Sequence, residues 1–537
     1  MIAKVSKRKA SVKEKGVQKV GKHTSIEHNA EDIASPLTPR EYPELVFGLV
    51  GPAGVNLEPV IATLTKELKA LNYQVETIRL SKQIELFFNS DHSKESEDKR
   101  INSLMDEGTR LRTKSERGDA VALLGIAEIL KLRNSKFSGS AEKNAYVLRS
   151  LKHPHEVETL RNVYGKGFFL ISVYSPRDIR VSALADRISR SEFGNVSNSR
   201  SKAEVLIERD ELEESSTLGQ DVKDAFPLAD LFIDGRNKSS YESQISRFLQ
   251  LLFGNVFLTP TRDEHGMYHA RSAALRSADL NRQVGAAILT SEGDLIAVGC
   301  NEVPKFGGDL YWPGDIGDAR DFQKGIDAMA AERLQVLGEL LERFHRHKLL
   351  EKGVSESKLK KLVQDLVSGS KKDVLKGTRV MNILEFGRSV HAEMAALMTA
   401  ARLGISVRST TLFCTTFPCH MCARHIVASG IKRVVYVEPY PKSKAKQLHQ
   451  DSISVDSSTS SNDHVNFEPF EGIAPRQYQD IFDPRDSRKD DEGRARDWRQ
   501  NPKPRLQRFI NTYRDLEIAI VAEEIPILAK KLGVSLK

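Results

Sequence analysis

The residue pattern predicts an α/β chain of two folded units, with a helical insertion in the second. Three observations carry this. Strand-length apolar runs alternate with amphipathic helical segments through residues 44–255, as expected of a parallel sheet covered by helices on both faces. Two further strand-length runs, Arg282–Thr290 and Asp294–Cys300, are joined at Ser291, Glu292 and Gly293, which reads as a hairpin. From about residue 316 to 380 the chain turns highly charged with a helical period, and strands and helices then resume. At roughly 100–200 residues per domain, 537 residues suffice for two or more such units.

The elements follow in order. Glu44–Val50 (ELVFGLV) ends in Gly51, the form of a buried parallel strand. Asn56 is placed to cap a helix carrying Leu57, Val60, Ile61, Leu64 and Leu68 at helical spacing. Strands are predicted at Gln74–Leu80, Ala145–Leu148, Gly167–Val173 and Leu228–Ile233, and helices at Ala120–Leu132, His155–Tyr164, Asp178–Ile188 and Tyr241–Phe253. In the insert, Ile326, Met329, Leu334, Leu337, Leu341 and Phe344 form one stripe, which suggests a helical pair. A helix from about His391 stops at Gly404, Thr410–Thr415 is a strand, Cys419–Ser429 a helix ended by Gly430, and Arg433–Val437 a strand. Ser452–Asp463, rich in Ser and Asp, is expected to be a loop. The expected organisation is a basic disordered tail (1–43), a first unit (44–255), a second unit (256–475) and a C-terminal helical extension (476–537).

Charge narrows the field less than its total suggests. Lys and Arg number 81 against 73 Asp and Glu, a formal charge of +8. Eight of those cations and a single acid, Glu14, fall within Met1–Lys22, so the rest is nearly balanced and predicts no basic surface. Four cysteines are too few to staple such a chain, which points to a reducing, cytoplasmic setting. No membrane-length apolar stretch and no signal-like apolar region is visible, so a secreted or membrane protein is not expected.

The chemistry concentrates in His391-Ala392-Glu393 and Pro418-Cys419-His420-Met421-Cys422. Two cysteines three apart at a helix start present both thiols on one face, and the helix N-terminus favours their zinc-binding thiolate form. With His391 as a third ligand, Zn2+ would keep its fourth position open for water, as catalytic rather than structural zinc does. Glu393, in the same helical turn as His391, is placed to move protons. His420 and His425 are nearby rivals as ligands but read as surface or supporting residues, and Cys300 and Cys414 as small buried side chains. The ordered pattern is that of the zinc nucleobase deaminases, whose glutamate shuttles protons without binding the metal.

Further residues narrow the resemblance. The run Ser277–Ala286 (SADLNRQVGA) and Cys300–Pro304 (CNEVP) resemble the front half of deoxycytidylate deaminases, with Cys300 in place of a tyrosine. Thr415–Cys419 and Val435–Tyr440 continue it. The resemblance implies a cytidine-deaminase-like α/β/α sandwich and deoxycytidine nucleotides as substrates. Asn301 is then a candidate for the sugar, and Asn281, Arg282 and Lys442 for phosphate. In the first unit, Gly48, Gly51 and Gly54 lie between strand and helix, where a P-loop belongs. Arg149–Arg161 and Ala229–Asp234 resemble nucleoside-monophosphate-type kinases. Val55 and Asn56 stand where the P-loop lysine and Ser/Thr belong, so a controlling, nucleotide-binding module is expected rather than a kinase.

With Phe470–Tyr478 and Arg488–Gly493 added, the order of units resembles the bacterial anti-phage dCTP deaminases. That resemblance implies depletion of dCTP, with dCMP also used, restraint in some members by an inhibitory small RNA, and a homo-oligomer. Two rivals stay open. One is a housekeeping dCMP deaminase serving thymidylate synthesis, and the other an RNA-binding or polynucleotide-editing protein with a deaminase fold.

Overall fold

Apolar runs flanked by helices build two mixed α/β sheets, each dominated by parallel pairs. The computed structural model describes residues 41–192, 196–211, 213, 218–325, 327–350, 355–375, 378–382, 386–438, 443–456, 463–483, 487–489, 492–500, 502–504, 513, 517–518 and 520–534. The first 40 residues of the basic tail, Ile326 and Lys442 lie outside them.

The first sheet takes β1 (Leu45–Val50), β2 (Gln74–Arg79), β3 (Asn144–Arg149), β4 (Phe168–Tyr174) and β5 (Leu231–Asp234), in the order β5-β4-β1-β3-β2, all parallel. Every residue of β1 is buried, as a strand covered on both faces requires. The helix after β1 runs Glu58–Ala70 with Leu57, not the expected Asn56, at its N-cap; the Asn56 Oδ1 still accepts from the Glu58 N–H at 3.2 Å.

The second sheet takes β6 (Gly285–Leu289), β7 (Leu295–Cys300), β8 (Thr411–Thr416), β9 (Arg433–Glu438), β10 (Ile453–Val455) and β11 (Val465–Pro469), in the order β10-β11-β9-β8-β6-β7. Here β6 and β7 form the expected antiparallel hairpin, and β6 also pairs antiparallel with β8. Parallel pairing continues through β9, β11 and β10. The loop expected at Ser452–Asp463 is therefore corrected in part. Its Ile453, Ser454 and Val455 pair with the Val465–Phe467 stretch, and the buried Ile453 anchors the edge strand. Residues 457–462 lie outside the described residues.

Between the sheets the chain crosses back. β12 (Gly472–Ile473) pairs antiparallel with β5, so the sequence after β11 closes the edge of the first sheet. One apolar cluster joins Phe232, Ala270, Phe413, Val435 and Phe470, running from one sheet to the other. The insert supplies helices Ala328–Arg346 and Glu356–Val367; of its predicted stripe, Leu337 is buried while Leu334 is exposed. The final helix, Ile525–Leu532, buries Ile525, Leu528 and Ala529 against the first unit. No helix among the described residues is long and apolar enough to cross a membrane.

Two glycines let the helices that frame the second sheet approach it closely. A Cβ at Gly285 would lie 1.9 Å from the Ala270 carbonyl oxygen, and one at Gly299 would lie 2.3 Å from that of Ala392. The second contact fixes the start of the helix that follows His391. Gly299→Ala is therefore expected to push that helix off β7, at a cost of about 1–3 kcal/mol or more. Thermal unfolding and zinc content measured together check this; normal values of both would show that the helix position tolerates the extra methyl.

Candidate metal centre and active site

Two helix N-termini bring the donors together. His391 is the N-cap of helix Ala392–Arg402, and Cys419 the N-cap of helix His420–Ala428. The His391 Nδ1 lies 3.3 Å from the Cys419 Sγ and 3.4 Å from the Cys422 Sγ. One donor from each of the three residues falls within 4.8 Å of the others, and no other group of three or more His, Cys, Asp or Glu does so among the described residues. His420 and His425 do not join it. One imidazole and two converging thiols on buried or partly buried residues are a donor set suited to Zn2+, and they fit a single ion.

Electrostatics charges one thiol only: the hydrogen bond to Cys419 and burial push the Cys422 thiol well up. A hydrogen bond from Cys422, opposed by burial and assisted by His391, lowers the Cys419 thiol to about 4. The hydrogen bond to Cys419, opposed by burial, raises His391 to about 9. Without metal they form an imidazolium–thiolate pair, so binding an ion releases the imidazole proton. Burial pushes Cys414 well up and Cys300 to about 11, which keeps both as neutral core thiols.

Glu393 is 4% exposed, on the first turn of the His391 helix. Burial, aided by the Cys419 charge, raises its carboxyl above the ordinary range. A carboxyl so placed holds a proton more readily than a solvated one and passes it on. It opens, with His391 and Cys419, on a cavity of about 270 Å³.

The sequence-selected residues take distinct places around this cavity. Asn301 lines it, but its carboxamide also clamps the loop before β6: the Val284 N–H donates to Oδ1 and Nδ2 donates to the Arg282 carbonyl, both at 2.7 Å. Arg282 also lines it, and donates to the Glu438 Oε2 at 3.2 Å. Asn281 lines it from an exposed turn, held by Asp279. Gly48, Gly51 and Gly54 belong elsewhere, in β1 and the loop that follows it. Gly48 lies inside β1, where a Cβ would strike Leu151 at 2.7 Å, whereas Gly51 and Gly54 line a separate cavity.

Sequence reasoning missed the wall that the insert builds. Asp321, Asp327, Met329 and Arg333 line the metal cavity, joined by Arg388 from the segment before His391. Arg388 is engaged, its Nη1 meeting the Asp321 Oδ1 at 2.5 Å and the Ala319 carbonyl at 3.0 Å. The Arg333 Nη2 meets the Met329 Sδ, and its buried Nε has no partner. Helical period showed which face of the insert is apolar, but not that Met329 of that stripe and Arg333, one turn on, meet the site.

Comparison with known proteins finds resemblance over the stretch that holds the site. Residues 260–438 match the family model described as the cytidine and deoxycytidylate deaminase zinc-binding region, a stretch holding all three donors and Glu393. Over 55 residues the chain is 47% identical to the deoxycytidylate deaminase of Enterobacteria phage T2, covering 10% of this chain and 29% of that protein. It is 36% identical over 53 residues to ComE operon protein 2 of Bacillus subtilis (strain 168), covering 10% of this chain and 28% of that protein. The chain thus spans under a third of the length of these relatives. Among solved structures, a cyanophage S-TIM5 dCMP deaminase in complex with dCMP and dUMP is 17% identical, covering 40% of this chain and 100% of that one, with a TM-score of 0.22.

Proposed function

We propose that this chain hydrolytically deaminates deoxycytidine nucleotides, dCTP or dCMP, to the deoxyuridine nucleotides and ammonia. The observation that carries it is the buried Glu393 beside a His391–Cys419–Cys422 donor set in one cavity. Zn2+ held by those three residues would supply a water nucleophile at neutral pH, by lowering the pKa of bound water to about 7. Glu393 accepts one proton of the attacking water and delivers it to ring nitrogen N3, then carries the second, from the hydroxyl now on C4, to the departing amine, which leaves as ammonia. Around them, Asn301 keeps Arg282–Val284 in place and retains a second Nδ2 hydrogen for the sugar.

Phosphate recognition falls to the arginines that line the cavity. Arg282 and Arg388 already meet carboxylates, whereas the Arg333 guanidinium faces no carboxylate partner among the described residues. A charge-assisted hydrogen bond to phosphate is worth about 1.5–3 kcal/mol. Arg333→Gln is therefore expected to raise KM for dCMP and dCTP by about tenfold or more, with KM for deoxycytidine unchanged. Arg282→Ala is expected to act in the same sense but more weakly. Equal losses on nucleotide and nucleoside would remove both residues from phosphate binding.

The two-unit order and the resemblance of residues 470–493 support a reading in which deamination depletes dCTP against phage, with the first unit as a degenerate kinase-like control module. The names of the phage relatives favour a second reading, a dCMP deaminase of nucleotide supply. Ammonia release by the zinc-loaded protein, compared on dCTP, dCMP, deoxycytidine, CTP and a cytosine-containing oligonucleotide, separates them. Turnover of dCTP supports the depletion reading and turnover of dCMP alone the supply reading; turnover of the oligonucleotide alone overturns both.

A further inference from the structure

The first sheet carries an arginine array that deamination does not use. From β1 the chain moves toward β2 on one side of the sheet, and from β3 toward β4 on the other. Between the carboxyl ends of β1 and β3 a crevice therefore opens, the position at which open parallel sheets take ligands. A cavity of about 390 Å³ fills it, lined by the loop after β1, by the residues after β3 and by helices beyond β2. That volume suits a small ligand.

Its charges are unbalanced. Glu58 meets Arg79 at 2.9 Å and also pairs with Arg149. Glu97 meets Arg100 at 2.9 Å and also pairs with Arg187. Four guanidiniums share two carboxylates. Burial, opposed by Glu58 and reinforced by the fields of Arg79 and Arg187, holds Arg149 below the ordinary guanidinium range. Deeper in, Arg112 is 1% exposed; its Nε and Nη1 are taken by the Leu218 carbonyl and Glu156, and its Nη2 has no hydrogen-bond partner.

The loop itself has no comparable capacity. The Ala53 N–H donates to the Asp210 Oδ2 at 2.6 Å, and the Lys152 Nζ lies 2.8 Å from the other oxygen of that fully buried carboxylate. The chain's own acid thus fills the place where loop amides would meet a phosphate. Gly54, at φ +91°, is needed there because a Cβ would lie 2.5 Å from the Arg180 carbonyl oxygen. The apolar side of the same cavity, with Ile84, Met105 and Val121, offers a surface for a flat base.

We propose that this cavity binds a free nucleotide, its phosphates held by Arg79, Arg149, Arg187 and Arg112 rather than by the loop amides. Guanidinium forks match phosphate oxygens pairwise, and the two excess charges suit a ligand with a phosphate dianion. The site is independent of the deamination reading and supplies a ligand-binding surface in the first unit.

Isothermal titration of the full-length zinc-loaded protein with ADP, TDP and pyrophosphate tests it, none of them a cytosine compound. Saturable binding of ADP or TDP at one per chain is expected, weakened about tenfold or more in the Arg149→Gln, Arg187→Gln double variant. Glu58 is half exposed, so Glu58→Gln should fold normally; by removing the carboxylate shared by Arg79 and Arg149, it is expected to tighten binding several-fold. Arg333→Gln, in the other cavity, is expected to leave it unchanged. The proposal is overturned if none of the three probes binds saturably, if the arginine and Glu58 variants leave affinity unchanged, or if Arg333→Gln abolishes binding.

Discussion

Glu393→Gln is expected to keep one zinc per chain and lose about 10²–10⁴-fold in kcat, the usual contribution of a positioned acid–base group. The reasoning rests on how little else the substitution changes. Glutamine has the same shape, fits the same buried pocket on the first turn of the His391 helix and leaves the three donors in place. It cannot carry a proton between the nucleophile and the departing amine. Cys422→Ser provides the contrast, with loss of the metal and of turnover together. Zinc content determined beside ammonia release distinguishes the two. A glutamine variant within tenfold of the parent would assign the proton transfers to another group and sink the role given to Glu393.

What the sequence showed in advance was local. His391, Glu393, Cys419 and Cys422 were legible because helix starts place their side chains by short-range geometry, and both His391 and Cys419 do cap helices. β1, β3 and β4 of the first sheet were legible because a strand buried on both faces reads as an apolar run. Contacts made across long stretches of chain were not. Nothing in Gly472–Ile473 announces pairing with β5, since two residues carry no periodicity and the partner lies far earlier in the chain. Arg333 looked like one charge on a charged helix, and its place in the metal cavity depends on how the insert folds over the second sheet. Gly48 read as a phosphate-loop glycine although it falls within the predicted strand Glu44–Val50; close packing against Leu151 and Phe168 is what demands its missing side chain.

The same blindness hid Arg133, and with it the second large effect. Arg133 lies in the helix Ala120–Lys136, yet it is fully buried between two carboxylates that are also buried. Its guanidinium donates to both oxygens of Glu44, at 2.8 and 2.7 Å, and also pairs with both oxygens of Glu517. Hydroxyls complete the cluster: the Tyr164 OH donates to Glu517 at 2.6 Å, and those of Tyr146 and Tyr513 to Glu44 at 3.1 Å. Glu44 precedes β1 and Glu517 belongs to the C-terminal extension, so this one arginine ties the end of the chain to the first sheet.

Removing one partner strands buried charge, which costs about 3–5 kcal/mol, whereas replacing a whole buried ion cluster with apolar residues is often neutral. Arg133→Met leaves two carboxylates facing each other without a cation, and is expected to be the worst single change in this cluster. Glu517→Gln removes the carboxylate that burial already pushes toward its neutral form, leaves Arg133 paired with Glu44 and keeps an acceptor for the Tyr164 hydroxyl, so its cost should be clearly smaller. Denaturant unfolding of both variants, with limited proteolysis to follow release of the C-terminal extension, checks the order. Equal stabilities for Arg133→Met and the parent would mean that the cluster does not hold the extension. A larger loss for Glu517→Gln than for Arg133→Met would place the anchoring energy in the carboxylate rather than the guanidinium.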